Sequence, residues 1–144
     1  MTADLTIGAE AVGKLIREFP GTHKLFGAHE SDMLFALSIS GPGWLTLECS
    51  GCWMITECKG FGVREVHWFC PCGVKLWALR RMIHHLFETQ GLVALVGVTP
   101  EGHPNARAAR VVNRAVGAEV DEGTYILTRT RFLAYTHAER DQRG

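Results

Sequence analysis

The sequence predicts an α/β fold in which a mixed, mostly antiparallel central sheet is flanked by helices. The first observation is a set of short apolar runs at residues 33–39, 44–49 and 52–58, separated by polar or glycine-containing turns, which is typical of hairpins. The second is the alternation of strand-like and helix-like segments over residues 63–135, which indicates helices packed on a sheet. A chain of 144 residues is long enough for one domain with its own core.

Composition excludes several classes of protein. Hydrophobic residues make up 47% and charged residues 21% of the chain, as in ordinary globular proteins. The formal net charge is +0, so the basic excess of a nucleic-acid-binding protein is missing and no such partner is expected. No apolar run reaches the ~20 residues that cross a bilayer, and no signal peptide is visible. Five cysteines, an odd number, indicate free thiols in a reducing compartment, so the expected location is the cytoplasm.

The first half of the chain is predicted to contain one helix followed by strands. Apolar residues at helical spacing predict a helix over residues 9–19, which Pro20-Gly21 ends. Residues 22–32 carry five polar or charged side chains and are interpreted as a loop: His23, Lys24, His29, Glu30 and Asp32. The three apolar runs then follow as strands, and Ser50-Gly51 is interpreted as a two-residue hairpin turn.

The second half is predicted to alternate strands with helices. In chain order the elements are a strand at 63–70, a helix at 74–88, a strand at 92–98, a helix that opens at His103-Pro104, and strands at 119–121 and 124–135. The apolar run at 92–98 suits a strand covered on both faces. The second helix is predicted to end at Gly117. Its buried stripe is predicted at Ala108, Val111, Val112, Ala115 and Val116, opposite Arg107, Arg110 and Arg114.

Two motifs in the second half resemble those of the GNAT superfamily of N-acetyltransferases. The stretch Cys70-Pro-Cys-Gly-Val-Lys75 corresponds to the pyrophosphate-binding turn between the central strand and the first long helix. The stretch beginning Asn105-Ala-Arg-Ala and ending Gly117-Ala118 corresponds to the second helix. The resemblance implies one GNAT-like domain over 1–144, with the N-terminal helix and hairpin strands in 1–62, the cofactor-type half in 63–135 and a C-terminal tail in 136–144.

The resemblance also implies where a site would lie. If acetyl-CoA binds, the expected contacts come from the turn and from the start of the second helix, at Cys72, Gly73, Val74, Lys75 and Asn105. A general base is expected on the central strand, where Glu65 and His67 are two residues apart and so point to one face. The interpretation in which these two residues line a polar groove without catalysing anything stays open.

The sequence departs from the family pattern at several positions, and these departures favour a function without catalysis. Cys70 stands where the turn usually has Gln or Arg, and Lys75 stands at its second small position. Val112 or Asn113 stands where a tyrosine general acid is common. The chain also resembles the short GNAT-like proteins of short-tailed phages. The resulting hypothesis is a catalytically degenerate binding, assembly or minor virion protein with a protein partner or self-association and no cofactor. The alternative is an acetyl-CoA-dependent N-acetyltransferase acting on an amine.

The cysteines permit two interpretations. In the first interpretation, two close pairs form the two halves of a zinc site: Cys49 with Cys52, and Cys70 with Cys72. The spacing of the second pair is one residue too short for the usual zinc motif, and several cysteines fall in apolar strands where buried free thiols are common. The expectation is therefore free thiols and no metal.

Overall fold

The computed structural model describes the backbone of residues 5–27, 29–100 and 102–143, and the side chains of these residues through residue 136. The helices are α1 (Ala9–Glu18), α2 (Asp32–Ile39), α3 (Leu76–Thr89), α4 (Ala106–Ala115) and α5 (Arg129–Arg143), with a short 3-10 helix at Thr22–Leu25. The strands are β1 (Leu5–Ile7), β2 (Trp44–Cys49), β3 (Cys52–Gly60), β4 (Val63–Phe69), β5 (Ala94–Val98), β6 (Glu119–Asp121) and β7 (Thr124–Thr128). None of the helices within these ranges has the length and apolar character needed to cross a membrane.

Within the described residues the strands form one mixed sheet in the order β1-β2-β3-β4-β5-β7-β6. The pairs β1–β2, β2–β3, β5–β7 and β6–β7 are antiparallel. Strands β4 and β5 are parallel, with Val63 opposite Ala94 and Glu65 opposite Val96. A parallel pair of adjacent strands needs a crossover connection, and here α3 lies between the two strands in sequence. The predicted α/β fold class is confirmed, and the sheet is mixed and mostly antiparallel in the pairings named above, as predicted.

Backbone contacts divide the chain into two compact units, of which the first contains residues 1–58 and 67–82. Its core is aromatic and centres on Trp53, which is fully buried. The Trp53 indole Nε1 donates a hydrogen bond to the Ala11 carbonyl at 3.1 Å, so the ring's polar atom is satisfied. Phe19 meets Trp53 edge-on with 5.5 Å between ring centroids. These contacts fix α1 and the β2–β3 hairpin that carries part of the candidate site.

The second unit contains residues 59–66 and 83–144. Leu95 of β5 and Leu127 of β7 face each other in the antiparallel register and are both buried. Phe87 of α3 packs against Phe132 of α5 with 5.7 Å between ring centroids. The hydrophobic effect therefore stabilises this unit, because the helices and the sheet bury apolar side chains against each other.

One predicted strand is a helix. Residues 33–39 were expected to form a strand, but they lie in α2. Ser31 has extended backbone angles and its hydroxyl accepts a hydrogen bond from the Leu34 N–H, which is an N-cap. Phe35 and Ile39 are buried while Leu37 is exposed, which is helical and not alternating spacing. The run is apolar on every side, so its periodicity carries no signal for either structure.

The predicted strand at 124–135 is wrong beyond Thr128. The Thr128 hydroxyl accepts a hydrogen bond from the Arg131 N–H, and α5 starts at Arg129. The backbone of the predicted tail at 136–144 accordingly belongs to α5 as far as Arg143. Strand β1 was not predicted, because three residues are too few for a period of two to be recognised.

Both long helices of the second half start two or more residues later than predicted. Helix α3 begins at Leu76, after a turn. Pro104 lies in a turn, and α4 begins at Ala106. The predicted apolar stripe of α4 is also displaced, since Val111 is 61% exposed whereas Asn113 is buried and donates from Nδ2 to the Ala109 carbonyl at 2.8 Å. An amide can occupy a buried helix position because the backbone carbonyl satisfies it.

Candidate functional site

The loop formed by residues 70–75, here called the 70–75 turn, connects β4 to α3. Its Gly73 has φ +100°, a conformation that side chains rarely adopt, and its N–H donates to the Cys70 carbonyl at 3.1 Å. No heavy atom lies within 4 Å of the position that a Cβ would take at Gly73. The backbone here is exposed and open, so a ligand can approach it closely.

Helix α3 adds hydrogen-bond donors directly after this turn. The Lys75 carbonyl accepts hydrogen bonds from the Ala78 and Leu79 N–H groups at 3.0 and 3.1 Å, so the helix starts at this point. The N–H groups of a first helical turn have no partner inside the helix, and the helix dipole adds a partial positive charge there. A phosphate group is the kind of ligand that such a position stabilises.

Lys75 does not extend away from the turn. Its ammonium Nζ donates to the Ser50 carbonyl at 2.7 Å and lies 3.5 Å from the Ser50 hydroxyl. Ser50 and Gly51 have φ values of 50° and 81°, as in the type I′ hairpin turn that their sequence predicts. The lysine is therefore held against the β2–β3 hairpin, and it supplies a positive charge beside the turn without filling the space next to Gly73.

A buried carboxylate holds this hairpin turn in place. Glu48 is 1% exposed, accepts a hydrogen bond from the Gly51 N–H at 3.0 Å, and forms an ion pair with the Lys14 ammonium at 2.9 Å. Burial opposes ionisation, but the hydrogen bonds from Gly51 and Lys14 outweigh it and lower the pKa of Glu48 below its usual value. The carbonyl that holds Lys75 thus belongs to a turn with a rigid support. Sequence reasoning missed Glu48, whose only signal is a charged residue within an otherwise apolar strand.

Three thiols lie at or beside the same turn. Cys52 is fully buried in β3, and its thiol donates to the Gly73 carbonyl at 3.7 Å. Burial, and then a hydrogen bond with Cys52, raise the pKa of Cys70 to about 12. Cys72 is exposed. No group of three or more His, Cys, Asp or Glu side chains that could bind a metal ion is found among the residues that the structure describes.

The two candidate bases lie at alternate positions of β4. Glu65 and His67 are half-buried, whereas Arg64 and Val66, on the opposite face of the strand, are buried. The Glu65 carboxylate forms an ion pair with the Lys59 ammonium at 3.2 Å. A half-buried carboxylate or imidazole retains the access to solvent that a proton-transfer group needs. The catalytic role predicted for these residues remains a prediction.

Asn105 is the N-cap residue of α4 and is exposed. Its side chain makes no capping hydrogen bond, its N–H donates to the His103 Nδ1 at 3.0 Å, and its carbonyl accepts from the Ala109 N–H at 2.9 Å. The predicted place of Asn105 at the start of the second helix is therefore approximately right. Its predicted contact with acetyl-CoA remains a prediction.

A surface groove of about 770 Å³ lies in the second unit, and sequence reasoning did not anticipate it. It is lined by Arg114, Gly117, Ala118, Glu119, Val120, Arg131, Ala134 and Tyr135. The Arg131 side chain donates to the Gly117 carbonyl and pairs with Glu119 at 3.5 Å, so much of its charge is already used. The groove is consequently a weaker candidate for an anionic ligand than the 70–75 turn.

Comparisons with solved structures show where this fold occurs. The chain is similar to the aminoglycoside acetyltransferase AAC(6′)-Ib in complex with coenzyme A and kanamycin, with 13% identity, a TM-score of 0.62, and coverage of 91% of this chain and 98% of that one. It is similar to the spermidine/spermine N-acetyltransferase SpeG from Vibrio cholerae, with 11% identity, a TM-score of 0.64, and coverage of 92% and 98%. A GNAT-family acetyltransferase from Bacillus anthracis matches with 13% identity, a TM-score of 0.56, and coverage of 89% and 97%.

No protein-family model matches the sequence, and no curated protein matches it. The similarity is therefore carried by the arrangement of helices and strands, which extends over nine-tenths of the chain in each of these comparisons. The predicted phage-type character remains a prediction. The chain has the fold of the GNAT acetyltransferases.

Proposed function

We propose that the protein is an N-acetyltransferase that takes acetyl-CoA as its acyl donor and an amine as its acceptor. The observation that carries this proposal is the open Gly73 backbone at φ +100°, placed directly before the N-terminus of α3. The solved structures that share the fold include enzymes in complex with coenzyme A, which supports the same ligand here. This proposal takes the enzymatic alternative over the scaffold hypothesis that the sequence favoured.

The position of the Lys75 side chain removes the main objection to donor binding. A lysine at the second small position of the turn has a long side chain that can crowd a pyrophosphate. Its ammonium is instead held at 2.7 Å from the Ser50 carbonyl, beside the turn. A cation in this place attracts phosphate oxygens as a point charge, and helix N–H groups add directional donors. Together these groups compensate for the missing second glycine.

The reaction requires little chemistry from the protein. The neutral amine nitrogen attacks the thioester carbonyl carbon, and the carbon–sulfur bond then breaks as the coenzyme A thiolate leaves. The proton lost by the amine goes to a base, and the thiolate takes up a proton from solvent or from an acid. We assign the base to β4, where Glu65 and His67 are half-buried. General-base catalysis contributes roughly 10²–10⁴-fold to a rate.

Titration calorimetry with acetyl-CoA tests donor binding. We expect micromolar affinity for the wild type and at least about tenfold weaker binding for Gly73→Val, since valine disfavours φ +100° and its side chain fills the open space. Gly27→Val is the matched control, because Gly27 has φ +97° and nothing within 4 Å of an added Cβ. No binding by the wild type at millimolar acetyl-CoA, or equal losses in the two variants, contradicts the proposal.

Release of coenzyme A thiol in the presence of amines tests catalysis. Kanamycin and spermidine are suitable first acceptors, because the structural neighbours include an aminoglycoside acetyltransferase in complex with kanamycin and a spermidine/spermine N-acetyltransferase. We expect Glu65→Gln or His67→Gln to lower kcat by roughly 10²-fold or more while the acetyl-CoA affinity stays within about twofold of the wild type. If neither variant lowers kcat, the base is not on β4.

A second candidate function is protein binding through α2. Three large apolar side chains of this helix are exposed, Met33 (68%), Leu34 (48%) and Leu37 (62%). Contiguous exposed apolar residues are typical of interaction surfaces. Light scattering of the wild type and of Leu37→Glu tests this function, since self-association through α2 predicts a concentration-dependent mass that the variant loses. The virion role expected from the sequence is one form of this second function.

A further inference from the structure

Cys52 and Cys70 come from different elements and meet at the 70–75 turn. Cys52 lies in β3 and is fully buried, and Cys70 directly follows β4 and is half-buried. The Cys52 thiol donates to the Gly73 carbonyl at 3.7 Å, and the Gly73 N–H donates to the Cys70 carbonyl at 3.1 Å, so both cysteines are hydrogen-bonded to the same glycine. The Cys70 thiol is close enough to Cys52 for the interaction between them to help raise the pKa of Cys70. These two neighbouring thiols at the candidate donor site form an arrangement that the proposed acyl transfer does not use.

We propose that Cys52 and Cys70 are an oxidisable pair that forms a disulfide when the protein meets a peroxide, and that this bond weakens donor binding at the 70–75 turn. The first part is independent of the proposed function, and the second part rests on it. Cys52 also has Cys49 opposite it in the β2–β3 register. The disulfide that we propose is the one with Cys70.

The chemistry balances without any further reactant. One hydrogen peroxide molecule oxidises the Cys70 thiol to a sulfenic acid and releases one water. The Cys52 sulfur then attacks the sulfenic sulfur, the S–O bond breaks, and hydroxide combines with the Cys52 proton as a second water. The net change is two thiols and one peroxide to one disulfide and two waters. Because a thiol of high pKa supplies little thiolate at neutral pH, the first step is expected to be slow and to need excess peroxide.

Disulfide formation acts on the turn through a specific contact. The new bond requires a sulfur–sulfur distance of about 2.05 Å, so Cys70 and the residues after it must move toward β3. The disulfide also removes the Cys52 thiol proton, so the 3.7 Å hydrogen bond from Cys52 to the Gly73 carbonyl is lost. The peptide groups on either side of Gly73 then lose the orientation that they have in the reduced protein. Backbone donors bind phosphate only when they are preorganised, so the oxidised turn binds the donor less well.

Peptide mapping of the full chain tests the first part. Trypsin cleavage after Lys24, Lys59, Arg64 and Lys75 places Cys49, Cys52 and Cys58 in peptide 25–59 and Cys70 and Cys72 in peptide 65–75. After peroxide treatment and digestion without reductant, we expect a cross-link between these two peptides that dithiothreitol removes. Cys72→Ser should keep the cross-link, whereas Cys52→Ser and Cys70→Ser should both lose it. A disulfide confined to either peptide, a cross-link that needs Cys72, or over-oxidation without a cross-link overturns the proposal.

Calorimetry of oxidised and reduced protein tests the second part. We expect acetyl-CoA affinity to fall at least about tenfold on oxidation and to return with dithiothreitol. Cys70→Ser cannot form the disulfide, so its affinity for acetyl-CoA, whatever its value, should be the same before and after peroxide. A cross-linked protein whose affinity for acetyl-CoA is unchanged overturns the proposal that the disulfide weakens donor binding at the 70–75 turn. Absence of binding in the reduced wild type contradicts the proposed function instead, and the peptide map still decides on the disulfide.

Discussion

At the scale of single residues, the ion pair between Lys14 and Glu48 is asymmetric. The Lys14 side chain is 36% exposed and Glu48 is 1% exposed. A lysine that loses this partner can turn its ammonium toward water, but a buried carboxylate that loses its cation has no such escape. Removing one partner of a buried pair is costly mainly when it leaves the other charge uncompensated.

We therefore expect Lys14→Met to destabilise the protein more than Glu48→Gln. The losses in free energy of unfolding should be roughly 3 kcal/mol for Lys14→Met and roughly 1 kcal/mol for Glu48→Gln, whose amide oxygen can still accept the Gly51 N–H. Urea denaturation at neutral pH measures both values. A larger loss for Glu48→Gln would show that the ammonium, and not the carboxylate, is the group that burial constrains.

Asp32 contributes to the sensitivity of the folded protein to acid, and one substitution removes that contribution. Its carboxylate accepts hydrogen bonds from the Gly21 N–H at 2.8 Å, from the His23 N–H at 3.1 Å and from the His23 ring at 2.6 Å. The Gly21 bond first, and then those from His23, lower the pKa of Asp32 from 3.8 to about 2. A folded pKa below the unfolded one means that the contribution to stability is complete above pH 4 and is lost as the pH falls toward 2.

The expected result is a fall in the unfolding midpoint between pH 4 and pH 2 that is smaller in Asp32→Asn than in the wild type. Thermal unfolding followed by circular dichroism over this range measures it. Asp121→Asn is a suitable control, since Asp121 is an exposed residue of β6. If the unfolding midpoint falls equally with pH in the wild type and in Asp32→Asn, Asp32 is not a source of the acid sensitivity.

At the scale of secondary-structure elements, α2 shows how capping decides between helix and strand. Its sequence is apolar nearly throughout, and its local helix signals are the N-cap Ser31 and the acidic Asp32 in the first turn. We expect Ser31→Ala to lower the free energy of unfolding by about 1 kcal/mol, because the Leu34 N–H loses its acceptor. Ser38→Ala, at an exposed position in the last turn of the same helix, should be neutral or slightly stabilising. Equal effects of the two substitutions in urea denaturation would show that the cap contributes nothing.

The sequence predicted an element correctly where neighbouring residues determine its structure, and it failed where the structure depends on contacts between residues distant in sequence. The turn at Ser50-Gly51 and strands β2 and β3 were predicted within two residues, because a two-residue turn defines its own backbone angles. Helix α5 was missed because Thr128 continues an apolar run and its capping role is visible only from the bond to Arg131. Gly73 and Lys75 could be found as site candidates from the resemblance of their turn to the GNAT motif. The contact between Lys75 and Ser50 could not, because 25 residues separate them in sequence.

At the scale of the whole molecule, the fold and the site carry different information. The parallel pairing of β4 with β5 within an otherwise antiparallel set of registers was predictable from the order of elements. That order is shared with acetyltransferases at 11–13% identity, so many side-chain sets are compatible with it. Function therefore depends on whether the 70–75 turn binds phosphate, and the fold alone does not decide it.

Ligand linkage lets the stability of the whole molecule report on this turn. A ligand that binds only the folded state raises the free energy of unfolding by about 2.7 kcal/mol at 100 times its Kd. For a chain of 144 residues this corresponds to an increase of roughly 10 °C in Tm. We expect acetyl-CoA to produce this increase in the wild type and in Gly27→Val, and to produce little change in Gly73→Val. Acetylpantetheine, which lacks the pyrophosphate, should raise Tm far less at the same concentration. If it matches acetyl-CoA, the binding energy comes from the acyl arm of the donor, and the turn before α3 is not the phosphate site.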